Sequence, residues 1–240
     1  MLVYGINPVL EALRAGRATA VRVGRRADER IRAVLHLAEQ QNVPVHRVDD
    51  AVLDRAAGGG AHQGVVGELR PADEYSVSDL VREAAAPALL IVLDSIEDPH
   101  NVGAILRTAD AAGAHGVIRQ TRRAAPLGPV VTKASAGAIA YVKMAAVVNI
   151  ARALEELKAA GVWTVGLAAD APRRYDQVDL TVPVAFVFGA EGAGLRRLVR
   201  ERCDLLVAIP MQGHVGSLNV SVAAGVALFE AVRQRHQGGP

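Results

Sequence analysis

Short, unbroken apolar runs recur along the last two-thirds of the chain, at 89–93, 116–118, 163–167, 185–188 and 205–209, each followed by a loop and a helical stretch. Continuous apolar strands bounded by helices predict an α/β fold with a parallel sheet covered on both faces. The first 70 residues alternate differently. A helix is expected over 8–15 and strands over 20–23, 43–48 and 64–69, while Ile31, Val34, Leu35 and Ala38 carry the i, i+3, i+4, i+7 spacing of a helix over 28–41. Asp49 or Asp50 is positioned to cap a helix over 51–57, and Gly58-Gly59-Gly60 reads as a loop. The chain thus divides into a small α/β unit at 1–70, a bridge at 71–87 whose Ser76-Val77-Ser78-Asp79 opens a short helix, and a larger unit at 88–240. The final helix, over 217–234, is apolar nearly all round and carries Ala223, Ala224, Gly225 and Ala227. Such a helix is buried inside its domain or against a second subunit.

Composition narrows the function classes. No apolar stretch reaches the ~20 residues that span a bilayer, and the opening Met1-Leu2-Val3-Tyr4-Gly5 does not read as a signal peptide, so a cytoplasmic location is expected. The single cysteine, Cys203, forms no internal disulfide and reads as structural. A net charge of +2 is modest, yet all but three of the 27 basic residues are Arg, paired at Arg25-Arg26, Arg122-Arg123, Arg173-Arg174 and Arg196-Arg197. Arg suits bidentate phosphate recognition, although any one pair equally suits a solvated face. With only eight aromatic residues, a base-stacking platform is disfavoured and phosphate and shape contacts would dominate any nucleic-acid binding.

Candidate chemistry gathers at three strand-to-helix junctions, which in open α/β sheets lie where ligands bind. In the first, 93–109, Asp98-Pro99 suits an N-cap and N1 pair, and Val102, Ile105, Leu106 and Ala109 form the buried stripe; neither explains Asn101 or Arg107. Arg107 falls off the stripe, toward a ligand or toward water. The second, 186–195, spaces its glycines GxxGxG at 189, 192 and 194 instead of the GxGxxG of a dinucleotide site. Its Glu191 is either a ligand-facing carboxylate or a charge favoured at a helix N-terminus. The third runs from Ile209-Pro210-Met211 to Ser217-Leu218-Asn219-Val220-Ser221, where Ser217 is a cap or a ligand-facing hydroxyl and Asn219 a first-turn polar residue or a ligand. The seven histidines lack metal-ligand spacing, so no metal is expected.

These three motifs, with Asp98 to Arg107, Phe188 to Gly192 and Ile209 to Ser221 in order, resemble the SpoU (TrmH-like) family of SPOUT trefoil-knot RNA methyltransferases, and the likeness extends over nearly the whole chain. Tyr4-Gly5-Ile6-Asn7-Pro8-Val9 and His62-Gln63-Gly64-Val65 are similar to that family's small substrate-binding domain. The resemblance implies an L30e-like α/β domain that binds RNA, a 71–87 linker, and a methyltransferase domain at 88–240 with a deep C-terminal knot. It implies S-adenosyl-L-methionine as cofactor, with Leu167, Gly189, Ile209, Met211 and Leu218 around it, and Asn101, Arg107, Glu191, Ser217 and Asn219 in catalysis and RNA binding. It implies a homodimer with the site at the interface, and 2′-O-methylation of a guanosine in 23S ribosomal RNA, with a tRNA target or a non-catalytic RNA-binding role on the same scaffold as alternatives. A guanidinium with a pKa above ~12 is a poor base, so Arg107 is expected to act by its charge. Gly216 stands where relatives often have a second Ser, and Ala140 and Lys143 where many have Glu and Pro.

Overall fold

The computed structural model describes residues 2–25, 29–71 and 73–237, which fall into two compact units, Met1–Ala72 with Pro126–Tyr141, and Asp73–Ala125 with Val142–Pro240. The first unit opens with β1 (Leu2–Tyr4), α1 (Ile6–Arg14), β2 (Ala18–Val23), α2 (Glu29–Gln40), β3 (Val45–Arg47), α3 (Asp50–Ala57) and β4 (Val65–Leu69). Its sheet runs β1-β4-β2-β3, with β4 antiparallel to both neighbours and β2 parallel to β3. The predicted stripe of α2 is buried at Ile31, Val34 and Ala38, against Val9, Leu13, Val21 and Val65; Asp28, expected to begin that helix, lies outside the described residues.

The second unit begins with α4 (Val77–Arg82), closed at its start by a capping box between Ser76 and Asp79. Val77 and Leu80 are buried in the core of this unit, and Tyr75 bridges to Ala145, so the expected linker contributes packing here. There follow β5 (Leu89–Asp94), α5 (Pro99–Ala111) and β6 (Gly116–Gln120); then α6 (Pro129–Ala134), which belongs to the first unit; then β7 (Met144–Val147), α7 (Ile150–Ala159), β8 (Trp163–Leu167), β9 (Arg173–Arg174), β10 (Val184–Gly189), α8 (Arg197–Arg202), β11 (Leu205–Ala208) and α9 (Val220–Gln237). The seven strands lie in the order β7-β6-β5-β10-β8-β11-β9, every pair parallel. Alternate side chains of a strand face opposite ways. Leu90, Val92, Ala185 and Val187 therefore meet α4, α7 and α8 through Leu80, Leu154 and Val199, while α5 and α9 pack together on the other face.

Two expectations about the last helix change. Helix α9 begins at Val220, not Ser217, because Asn219 takes the capping place: its Oδ1 accepts from the Ser221 amide at 2.9 Å and from Ser221 Oγ at 2.6 Å. Nor does the chain bury the helix all round: Ala224, Ala227, Leu228 and Ala231 are buried, but Val222 and Phe229 remain 51% and 49% exposed. At its far end Arg235 donates to the carbonyls of Leu180, Pro87, Ala88 and Val182.

Candidate active site

The carboxyl ends of β8, β10 and β11 release three loops, and these enclose a cleft of about 810 Å³ including its open mouth. All five residues expected beside a cofactor, Leu167, Gly189, Ile209, Met211 and Leu218, line it, as do Glu191, Ser217 and Gly216. The turn at the end of β10 is tight: Ala190 and Gly194 pair as an antiparallel bridge, and Gly192 and Gly194 adopt φ of +74° and +66°. A Cβ at Gly189 would strike the Gly194 carbonyl and the Leu195 nitrogen. Only glycine lets the loop fold back so closely.

Glu191, on the lining of this cleft, is the centre of a three-residue hydrogen-bonded cluster. Asn101 lies in the first turn of α5, a helix begun as predicted by Asp98, whose side chain accepts from His100 N at 2.9 Å, and Pro99. Although polar, Asn101 is only 6% exposed. Its Nδ2 donates to Glu191 Oε1 at 3.0 Å, and its Oδ1 accepts from Asn219 Nδ2 at 2.9 Å. Asn219 Nδ2 also donates to Glu191 Oε1, at 2.6 Å. The three junctions thus converge on one carboxylate, leaving Glu191 Oε2 without a hydrogen bond among the described residues. Glu191 does not serve a helix N-terminus, since α8 starts only at Arg197. Asn101 and Glu191 also line a second, more polar cleft, together with Glu97, Asp98, Arg123 and Arg196.

Arg107 stands apart from this cluster. It is exposed on α5, six residues beyond Asn101, lines neither cleft and has no ion pair among the described residues. Its neighbour Thr108 lies against Gly225 of α9, in the stripe that exposes Val222 and Phe229. Of the paired arginines, read as suited to phosphate or to a solvated face, several are engaged: Arg25 with Asp49, Arg174 with Asp176, Arg197 with Glu201 and Arg196 with Asp94. Arg122 and Arg123 are exposed and have no ion pair among the described residues, outside which Arg26 lies. Cys203 is structural: burial pushes its thiol up to about 12. Lys143 pairs with Glu83 at 3.0 Å, Ala140 lies in a 3₁₀ turn of the first unit, and no three His, Cys, Asp or Glu gather as metal ligands among the described residues.

The sequence reading assigns no site role to Asp94 or Gln120 and takes Arg196 only as one of an arginine pair. Asp94 closes β5 and is fully buried, held by Arg196, while Gln120 Oε1 accepts from the amide and hydroxyl of Ser95, which adopts φ +62°. A carboxylate closing an otherwise apolar strand was the available signal.

A parallel α/β unit with a glycine-tight cleft at its strand ends, joined to a small α/β unit, matches the SpoU rRNA methylase family over residues 88–229, and the chain belongs to that family. Residues 2–75 match the RNA 2′-O ribose methyltransferase substrate-binding family. The chain is 49% identical over 213 residues to the 23S rRNA (guanosine-2′-O-)-methyltransferase RlmB of Pseudomonas putida, covering 88% of this chain and 86% of that protein. It is 46% identical to an uncharacterized tRNA/rRNA methyltransferase of Mycolicibacterium vanbaalenii, over 98% of this chain and 76% of that protein. Among solved structures, the SpoU methyltransferase AviRb of Streptomyces viridochromogenes in complex with the cofactor AdoMet superposes with a TM-score of 0.83 at 29% identity, over 99% of this chain and 91% of that one.

Proposed function

We propose that the protein methylates the 2′-hydroxyl of a guanosine in 23S ribosomal RNA, using S-adenosylmethionine. The observation that carries this reading is the convergence of Asn101 and Asn219 on Glu191, which lines the glycine-tight cleft. The cleft fits the cofactor. Leu167, Ile209, Met211 and Leu218 give the apolar seat that an adenine ring and a methionine chain need, the loops offer backbone polar groups, and the Glu191 carboxylate on the wall complements a positive sulfonium. When bound, S-adenosylmethionine supplies a methyl group that the ribose 2′-oxygen takes as the carbon–sulfur bond breaks, the electron pair remaining on sulfur and the hydroxyl proton leaving.

The chain's own residues align and charge-balance this transfer. Asn101 and Asn219, fixed by their shared bond to Glu191, hold the wall rigid, and Ser217 and Asn219 orient the ribose or the cofactor. Arg107 holds the adjacent RNA phosphate and favours the developing alkoxide by its charge. Within one chain it is remote from the cluster, so a homodimer through the Val222 and Phe229 face of α9 supplies Arg107 from a second copy.

Mixed chains test this reading. Arg107→Ala and Asn219→Ala should each abolish methylation of 23S RNA. Random exchange of the two inactive chains should then restore about a quarter of wild-type activity, because half the twofold dimers are mixed and each carries one intact site. Full inactivity of verified mixed dimers would refute the shared site. Methylation of tRNA, with none of 23S RNA, would overturn the substrate.

A further inference from the structure

Asp94 and Arg196 form a pair that the reaction does not obviously require. The apolar strand β5 ends in Asp94, which is 0% exposed. A buried carboxylate is strongly unfavourable unless it is paired and hydrogen-bonded. Arg196 supplies both: its backbone N–H donates to Oδ2 at 2.9 Å, Nε to Oδ1 at 2.7 Å, and Nη2 reaches Oδ1 at 2.6 Å. The position of the pair matters more than its strength. Asp94 is the register partner of Gly189 across β5 and β10, so the 190–195 loop leaves the sheet beside Asp94 and is drawn back to Asp94 by Arg196. Between these two anchors lie Glu191, bonded to both Asn101 and Asn219, and Gly192 and Gly194 of the first cleft.

We infer that the Asp94–Arg196 pair is a latch that sets the Glu191 loop for methyl transfer, which makes Arg196 a positioning residue and not a phosphate ligand. The inference rests on the cofactor reading of the first cleft. Arg196 also borders the second, polar cleft, but three of its polar contacts turn inward to Asp94, whereas Arg123 has no ion pair among the described residues. A loop free to drift moves Glu191 and with it both asparagines, and a displacement of about 1 Å costs on the order of 100-fold in rate.

The test uses the full-length protein with Arg196→Met, Arg196→Lys, Asp94→Asn and the Asp94→Asn/Arg196→Met double variant. S-adenosylmethionine affinity is measured by calorimetry, RNA affinity across a salt series, and methylation under single turnover at saturating cofactor and RNA. The latch predicts that Arg196→Met and Asp94→Asn each slow transfer by roughly 100-fold and weaken cofactor binding, while RNA affinity and its salt slope stay as in wild type. Arg196→Lys should recover part of the rate, since an ammonium keeps the charge without the planar fork. The double variant should be no worse than either single one, because the two residues act as one unit. If Arg196→Met instead lowers RNA affinity and reduces the salt slope by about 1 with cofactor binding intact, Arg196 is a phosphate ligand. A lower melting temperature with rate and both affinities unchanged in the folded protein makes the pair merely structural. Either result overturns the latch. Wild-type protein that binds no S-adenosylmethionine overturns the cofactor reading itself, a failure distinguishable from that of the latch alone.

Discussion

Removing Arg235 tests how the second unit holds its last helix. Its guanidinium, half-buried in the final turn of α9, donates to Leu180 O at 3.0 Å, Pro87 O at 2.8 Å, and Ala88 O and Val182 O at 2.9 Å each. Of these carbonyls, Ala88 keeps a second donor in the Val184 amide, so Arg235→Met takes a hydrogen bond from three others. Charge-assisted bonds of this kind contribute about 1.5–3 kcal/mol each. Water reaches part of the site and the methionine stem restores packing, so a net loss of about 3–4 kcal/mol is expected. At about 2–4 °C per kcal/mol for a unit of this size, the melting temperature should fall by roughly 6–16 °C. Urea and thermal unfolding measure this, with calorimetric S-adenosylmethionine binding at low temperature as a control. Because β10 separates this end of the sheet from the Glu191 loop by about 17–20 Å, cofactor affinity should be retained. A variant within about 1 kcal/mol of wild type would show that solvent replaces the guanidinium and refute the reasoning.

Burial, then the Arg235 charge, holds the His115 imidazole below its usual 6.5, while its Nδ1 accepts from Leu89 N at 2.9 Å. The folded state thus favours neutral His115. Its stability contribution is complete above pH 6.5 and declines as the pH falls through that value. His115→Gln should flatten the change in urea midpoint between about pH 7.5 and 5.5, and an unchanged slope contradicts this. Gly189→Ala forces the cleft's backbone apart, a cost of about 1–3 kcal/mol that should weaken S-adenosylmethionine binding roughly 5- to 150-fold. Gly213→Ala, which meets open space, should leave calorimetric affinity unchanged; equal effects of the two substitutions would refute the steric argument.

The central strands were legible because a strand buried on both faces must be apolar at every position, as Leu89–Asp94 is up to its last residue. At the edges that requirement lapses. Met144–Val147 mixes buried and exposed positions, and Arg173–Arg174 is a two-residue strand of charged side chains, so neither announces itself. Asn101 and Arg107 were visible as polar residues that capping and packing left unexplained, whereas Glu191, Ser217 and Asn219 each had a local alternative. The convergence of Asn101, Glu191 and Asn219 depends on hydrogen bonds spanning 90 and 118 residues, which no local period encodes. Asp94 and Arg196 stayed hidden for the same reason, each having an ordinary local explanation as a strand end and as one of an arginine pair.

The segment 126–141 places a constraint on the order in which the chain matures. The segment is part of the first unit: Tyr141 Oη donates to Glu11 Oε2 at 2.7 Å, and Arg17 Nη1 to Ile139 O at 3.3 Å. A ribosome that has finished residue 72 has not yet made this piece, which follows only about 70 residues later. At about 5–20 residues per second, that interval lasts roughly 3–14 s. During it β5, α5 and β6 of the other unit are synthesised while the N-terminal unit is still incomplete. The nascent protein therefore adds the last piece of its N-terminal unit only after synthesis of the next has begun.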